Sequence, residues 1–261
     1  MSSMGTWTQS QSTDVPSGQG FVKSLKMDCT TADASPASGD HLLINQKFEG
    51  QNLQYLKKGT SSAESVTASF WVKSNKTGTY ILELDDRDNT RAISKSYTIS
   101  SADTWEKKII TFPGDTTGAL DNDAARSLDL TWWLGAGSDF TSGTLSTTWT
   151  SRTNANRVVG QVNLADSTSN EWYVTGIQLE AGSQASDFEF LPFDVNLQRC
   201  FRYCYVIGDT PNGLDFSKQG IVGHYYSSTS FALEWFYQVP MRASPSFTVS
   251  STSLGTVYSN G

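Results

Sequence analysis

The sequence predicts a mainly β protein: an antiparallel jelly-roll β-sandwich followed by a short helix and a smaller β region. In residues 66–73, apolar side chains such as Val66, Ala68 and Phe70 alternate with Thr67 and other residues. A two-residue period is typical of a half-buried strand. Similar short runs, separated by turn residues, follow along the chain. This spacing indicates an antiparallel sandwich or barrel, a scaffold that more often binds or assembles than catalyses.

The strands of the sandwich are predicted in order after a polar, turn-rich lead-in of residues 1–20. The jelly-roll is expected to cover residues 21–190. Its predicted strands are 21–29, 42–48, 66–73, 80–84, 93–99, 105–112, 128–134 and 172–180, with a short helical turn within 51–58. Long loops are expected at 115–126 and 135–164.

The composition changes in residues 191–261, which are predicted to form a short helix and an incomplete C-terminal β region. Apolar residues have helical spacing in 194–205, and Asp194 is the expected N-cap. The chain stops at Asn260–Gly261, a hairpin signal without a returning strand. We therefore expect either further sequence, a strand from a partner or a flexible terminus. Strand-like pieces are expected at 220–226, 231–239, 247–251 and from 257.

The composition narrows the classes of partner. Hydrophobic residues make up 37% and charged residues 17% of 261 residues, while the chain holds 8 Trp, 10 Tyr and 13 Phe. This mix resembles extracellular or virion β proteins more than cytosolic enzymes. A net charge of −7 disfavours nucleic acid and anionic lipid as partners. No apolar run approaches the ~20 residues of a membrane span, and the N-terminus lacks the pattern of a Sec-type signal peptide.

The three cysteines do not form a disulfide framework, because their number is odd. Cys200 and Cys204 lie one helical turn apart in the predicted helix, where their Cα atoms are poorly placed for a disulfide. We expect both to be buried as small apolar residues.

No catalytic constellation is recognisable, so the chain is predicted not to be an enzyme. It has only two histidines and no nucleophile elbow, zinc-binding helix motif or phosphate loop. Asp85, Asp86 and Asp88 cluster in a predicted turn, which is interpreted as a solvated turn or, less favoured, a Ca²⁺ site. Asp121 and Asp123 leave the same two alternatives. No cofactor is expected, apart from the structural Ca²⁺ that is the less favoured alternative at these aspartates. The sequence does not identify any residue as a metal ligand.

Three tryptophans are the candidate ligand-binding residues. Trp71 and Trp133 occupy the polar-facing register of their strands, and Trp149 lies in the long loop 135–164. Exposed rings at these positions could stack on sugar rings. The alternative, favoured for Trp71 and Trp133, is that loops or another subunit cover them, since large aromatic patches usually mark interfaces.

Several runs carry a resemblance to bacteriophage tail-fibre or virion structural proteins of a type frequent in marine phages. The resemblance extends from about residue 9 to residue 247. Its order and spacing make it specific. It is carried by ASFWVKSNKTGTY, ISKSYTISSADTWEKKIITF, ADSTSNEWYVTGIQLEAGSQASDFE, LQRCFRYCY and VPMRASPSF.

The resemblance implies a fibre-tip or appendage protein with a jelly-roll similar to carbohydrate-binding modules. That class often places an aspartate pair near a structural calcium at the last strand, where this chain has Gly176 and Gln178. Members usually extend further at both ends, and fibres of this kind are commonly homotrimers.

The predicted function is therefore a non-catalytic virion appendage, such as a tail fibre or receptor-binding protein, that is made in the bacterial cytoplasm and recognises host cell-surface glycan. Its expected partners are further copies of itself, other virion proteins and that glycan. The alternatives are a purely structural capsid-decorating or tail-assembly protein without a ligand, and a glycan-degrading enzyme or its accessory module, which requires two carboxylates that face each other.

Overall fold

The structure is a computed structural model that describes residues 4–205, 222–227, 230–234 and 236–244. The chain divides into two compact units, Met1–Glu189 and Phe190–Gly261. The first unit contains two five-stranded antiparallel sheets. The predicted fold class, a mainly β antiparallel sandwich, is confirmed.

The first sheet brings together strands that are distant along the chain. Its central strand, residues 171–181, pairs with residues 24–31 on one side and with residues 66–74 on the other. In spatial order the sheet contains β1 (Thr6–Ser12), β2 (Ser24–Thr31), β10 (Glu171–Ala181), β4 (Val66–Ser74) and β7 (Glu106–Phe112).

The second sheet contains the remaining long strands of this unit. Two short 3₁₀ turns, Gly50–Asn52 and Gln54–Leu56, follow its first strand, where the sequence predicts a helical turn. In spatial order it contains β3 (His41–Glu49), β8 (Arg126–Ala136), β5 (Gly78–Asp86), β6 (Arg91–Ile99) and β9 (Thr150–Ser151).

The main core lies between the two sheets and follows from the period-two alternation. Phe70 of β4 and Trp132 of β8 face each other edge to face with ring centroids 5.6 Å apart, and Tyr97 of β6 lies 5.3 Å from Phe70. All three side chains are buried. Aromatic pairs with this geometry contribute beyond their buried area, so these rings join the two sheets.

Two predictions about the strands need correction. The lead-in 1–20 contains β1, which pairs with β2 over its whole length. Its side chains are mostly exposed and, apart from Trp7, which packs against the core, all polar, so this edge strand shows no apolar alternation. Asp85 and Asp86 end β5 and are buried, whereas the sequence predicts them in a solvated turn or Ca²⁺ site. Asp121 and Asp123 are exposed loop residues.

The long loop 137–164 folds over the outer face of the second sheet. It contains a short helix α1 (Ser138–Thr141), β9 and a 3₁₀ turn, Asn154–Asn156. Backbone hydrogen bonds hold it together and attach it to the sheet: Val158 N–H donates to Phe140 O at 3.0 Å, and Val162 N–H donates to Thr79 O at 2.9 Å. The loop thus becomes a third layer on part of the sandwich.

The second unit contains a helix α2 (Phe193–Phe201) and a hairpin of β11 (Val222–Ser227) and β12 (Ser230–Glu234). Pro192, and not the predicted Asp194, is the N-cap, so that Asp194 lies in the first turn. No side chain of α2 is buried.

Two predictions from the sequence concern this unit: the burial of its two cysteines and the strands near the C-terminus. The expected burial of Cys200 and Cys204 is wrong, because both are exposed; neither cysteine forms a disulfide. The predicted strands at 247–251 and from 257, and Asn260–Gly261, lie outside the described residues. Among the helices of the described ranges, none is both long and apolar enough to cross a membrane.

Candidate functional site

Trp133 lies on the outer face of the second sheet, beneath the loop 137–164. Its side chain is only 1% exposed and packs with Ile81 and Val158. Its Nε1–H donates to Glu83 Oε2 at 3.0 Å, and the Arg157 guanidinium lies 5.0 Å from its ring centroid. The expectation of a ligand-stacking Trp133 is therefore corrected. Burial under a loop removes this large apolar surface from water.

Trp149 attaches the same loop to one end of the sandwich. Its Nε1–H donates to Pro113 O at 2.7 Å, and Lys58 Nζ lies 4.7 Å from its ring centroid. Lys58 Nζ also donates to the carboxylates of Asp86 and Asp115. A cavity beside the ring has a volume of about 10 Å³, which is room for one water and not for a sugar. The partly buried Trp149 thus has a clear structural role.

Trp71 lies on the outer face of the first sheet, between Lys107 of β7 and Thr175 of β10 in the strand register. Its ring is partly exposed, and Ile109 on the same face of β7 is 55% exposed. This part of the sheet presents aromatic and apolar surface to solvent. The three predicted tryptophans lie in three separate places, and Trp71 and Trp149 are partly exposed whereas Trp133 is buried.

A shallow depression of about 360 Å³ lies near the 3₁₀ turns that follow β3. Its polar groups are already bonded within the protein. The Gln54 amide donates to the carbonyls of Gly50, Leu120 and Asp121, and Lys58 is bonded as described above. Few donors or acceptors are left in the depression to orient a ligand.

The polar half of the outer face of the second sheet brings charged residues together. The strand register places Asp85 of β5 opposite Asp129 of β8, and Glu83 opposite Thr131. Side chains from the loop 137–164, the β5–β6 turn and the start of β8 reach over these carboxylates. We call this surface the arginine–carboxylate face; it consists of Glu83, Asp85, Asp129, Arg87, Arg126, Arg152 and Arg157.

Glu83 is held by a single bidentate partner. Arg157 donates from Nε to Glu83 Oε1 and from Nη2 to Oε2, both at 2.7 Å. Burial raises the pKa of Glu83, although the hydrogen bonds from Arg157 act in the opposite direction. Arg157 is thus both an ion-pair partner and part of the cover over Trp133.

The two aspartates of the face bind the other guanidinium groups. Arg152 Nη1 donates to both carboxylate oxygens of Asp85 at 2.8 Å, and Arg87 Nη1 donates to Asp85 Oδ2 at 3.0 Å. Arg126 forms a bidentate pair with Asp129, with its Nε 2.6 Å from Oδ1. The hydrogen bond that Arg126 donates to Asp129 raises the pKa of Arg126. The bidentate Arg126 fork has little freedom to rotate, whereas Arg87 and Arg152 are each held through Nη1 alone.

Burial orders the charges of the face by depth. The carboxylates of Glu83, Asp85 and Asp129 are at most 2% exposed. The side chains of Arg126 and Arg87 are 36% and 35% exposed, and those of the remaining two arginines are 20% and 14% exposed. The face therefore presents fixed guanidinium groups to solvent above a buried anionic layer.

Sequence reasoning missed this face because its members are scattered over 75 positions. Asp85 and Arg87, and Arg126 and Asp129, are neighbours along the chain. Arg152 and Arg157 reach their carboxylates only because the loop 137–164 folds over the sheet. The weak signal in the sequence was the pair Glu83 and Asp85, two polar residues on one face of a strong strand. Within the described ranges, no group of three or more His, Cys, Asp or Glu side chains is arranged to hold a metal ion.

Comparisons with known proteins gave structural similarity alone. No protein-family model matches the sequence, and no curated protein matches it. The chain is similar to the enzymatically active domain of tailspike protein 4 of bacteriophage CBA120, with 13% identity and a TM-score of 0.36 over 67% of this chain and 18% of that chain. It is also similar to a CBM4 carbohydrate-binding module, with 14% identity and a TM-score of 0.33 over 66% of this chain and 77% of that chain.

Proposed function

We propose that this protein is a non-catalytic glycan-binding subunit of a phage virion appendage, such as a tail fibre or receptor-binding protein. The observation that carries the proposal is the arginine–carboxylate face. Binding sites for polar ligands need a few fixed polar groups at a surface, and this face has guanidinium forks held by buried carboxylates. Asn45 and Lys47 of β3 add an amide and an ammonium beside Thr131 and Asp129 in the register.

The virion role is supported by the resemblance of the sequence to phage tail-fibre and virion structural proteins. In this proposal the chain is made in the host cytoplasm, assembles with other virion proteins and recognises host surface glycan without a cofactor. Single glycan contacts are weak, so several copies would supply avidity. Helix α2 carries exposed apolar side chains at Phe193, Val195 and Leu197, which we propose as the contact of a homotrimer.

The absence of catalysis is part of the proposal. Asp85 and Asp129 are cross-strand neighbours, and two carboxylates near each other are the groups on which glycoside hydrolysis depends. Each accepts hydrogen bonds on both oxygens from arginine, as does Glu83. A general acid or nucleophile needs a free oxygen directed at the substrate. These bonds favour a supporting role for the carboxylates, which hold the guanidinium groups in place.

The test is a glycan array with the purified protein, after its mass in solution has been measured by light scattering. Arg152→Gln removes one fork of the face and is expected to weaken binding to the recognised glycan by about tenfold. Lys23→Gln is the control, because Lys23 is exposed and lies outside the face. Absence of binding to all glycans, both by the protein in solution and by intact virions, would contradict the proposal.

A purely structural role is the second candidate, and the surface around Trp71 favours it. Trp71 is partly exposed, and Ile109, Ile177 and Val22 are exposed large apolar residues of the first unit. A capsid-decorating or tail-assembly protein would bury such a surface against a neighbour. In that case Trp71→Ser would reduce incorporation into virions and leave glycan binding unchanged.

A further inference from the structure

We infer that the arginine–carboxylate face selects glycans that carry acidic groups, either uronate carboxylates or sulfate esters. The inference rests on the proposed function and specifies its ligand class. Three properties of the face support it. The arginines are more exposed than the carboxylates, several arginine N–H donors form no bond inside the protein, and the cationic surface contrasts with the negative net charge of the whole chain.

The depth order means that a ligand approaching from solvent meets cations first. The outermost charged groups are the guanidinium groups of Arg126 and Arg87, whereas the carboxylates beneath are almost fully buried. Lys47 is exposed and lies opposite Asp129 in the register, so it adds an ammonium group to the same part of the sheet. An acidic oxygen at this surface would form charge-assisted hydrogen bonds, which are roughly twice as strong as neutral ones.

Several donors of these arginines are not used inside the protein. Arg126 bonds Asp129 through Nε and Nη2, and Arg87 and Arg152 each bond Asp85 through Nη1 alone. Within the described part of the chain, Arg126 Nη1 and the Nε and Nη2 groups of Arg87 and Arg152 donate to no protein atom. Guanidinium groups match carboxylate and sulfate oxygens in geometry, so fixed, partly free forks are suited to these groups.

The charge of the whole chain makes the selection specific to this face. With a net charge of −7, the protein as a whole repels polyanions. Binding of an acidic glycan therefore requires a local cationic surface whose carboxylates are shielded, as they are here. A neutral glycan would use the same donors with weaker hydrogen bonds and would not offset the exposed positive charge.

The test is titration calorimetry with paired ligands that differ in their acidic groups. Oligogalacturonate is compared with its carboxyl-reduced form, and dextran sulfate oligosaccharides with dextran, at low and moderate NaCl concentration. We expect binding to an acidic member, at least tenfold weaker binding to its neutral partner, and weaker binding as salt rises. The pair that responds identifies the acidic group as carboxylate or sulfate.

The variants are Arg126→Gln and Arg87→Gln, the two most exposed arginines of the face, with Lys23→Gln as the control for general charge. Unchanged near-UV circular dichroism verifies the fold of each. Each arginine variant is expected to lose about tenfold in affinity for the acidic ligand, and the control to keep it. Equal binding of acidic and neutral members, or binding indifferent to both arginine variants, would overturn the inference and leave glycan binding intact. Absence of binding to every ligand, including the neutral glycans of the array, would contradict the proposed function itself.

Discussion

Replacing Arg157 with leucine tests whether the ion pair beneath the loop 137–164 holds the face together. The variant removes both bonds to Glu83, the contact of its Nη2 with Asp85 at 3.3 Å and the guanidinium over Trp133. Glu83 would keep a single donor, the Trp133 indole N–H at 3.0 Å, at a site that is not exposed. Leaving one member of a buried pair unmatched costs about 3–5 kcal/mol, and we expect a loss of this size at pH 8.

The loss should depend on pH with a defined sign. Burial already raises the pKa of Glu83 above 4.5, and the bonds from Arg157 oppose that shift. Without Arg157 the folded-state pKa rises further, so the folded protein binds the Glu83 proton more tightly than the unfolded chain. This contribution to stability is complete below the unfolded pKa and is lost as pH rises through the folded pKa, at up to about 1.4 kcal/mol per pH unit. The variant should therefore be closer to wild type at pH 5 than at pH 8.

The measurement is urea unfolding followed by tryptophan fluorescence at pH 5 and pH 8. Arg87→Leu is the matched control, because a partly exposed ion pair contributes at most about 1 kcal/mol. Combining Arg157→Leu with Glu83→Gln should recover roughly 1–3 kcal/mol at pH 8, since the amide removes the buried charge and keeps an acceptor for Trp133. A loss below about 1 kcal/mol for Arg157→Leu, or one that is equal at both pH values, would refute this reasoning.

Three further predictions concern other parts of the molecule. Burial alone would raise the pKa of Asp115, but hydrogen bonds from its cationic neighbours outweigh burial and lower the pKa below 3.8. Asp115→Asn should therefore cost about 2 kcal/mol or more of stability at pH 7. In thermal unfolding the stability difference from wild type should shrink as pH falls below 4, and a difference that does not change with pH would contradict this assignment. Gly59→Ala should destabilise the protein by about 1–3 kcal/mol, because Gly59 has a φ of +83° and a Cβ would lie 2.6 Å from a backbone nitrogen of the facing loop. Gly160→Ala is the control and should cost less, because Gly160 has a similar φ of +89° but open space around it. Equal losses of stability would show that the close approach at Gly59 is unimportant. Leu197→Glu on exposed helix α2 should dissociate the proposed trimer without changing the melting temperature of the monomer, and light scattering that finds the same mass for variant and wild type would rule out this contact.

The strand pattern of the first unit was largely predictable from local alternation. β4 was predicted at 66–73 and runs to Ser74, and β8, predicted at 128–134, is a little longer at both ends. Edge strand β1 was missed because Trp7 is its one apolar side chain, so no apolar period marks it. The burial of Asp85 and Asp86 was missed because aspartates in sequence usually indicate turns, and only their cationic partners permit burial.

The candidate site was predictable only in part. The sequence identified aromatic residues on the outer faces of both sheets, and Trp71 is partly exposed there. For Trp133 it favoured coverage by loops or another subunit over ligand stacking, and the loop 137–164 does cover it. It contained no signal that Arg152 and Arg157 would meet the carboxylates of β5, because that meeting depends on how the loop 137–164 folds over the sheet.

The sequence by itself determined the mainly β class, the order of most strands and the acidic, aromatic-rich composition. These properties are local or compositional: a two-residue period fixes which side chains share a face, and net charge is a sum over residues. The tertiary structure alone decided which outer face is covered and which charges are paired. Arg157 reaches Glu83 from 74 positions away, and only the fold of the intervening strands and loop brings a buried carboxylate and a guanidinium within hydrogen-bonding distance.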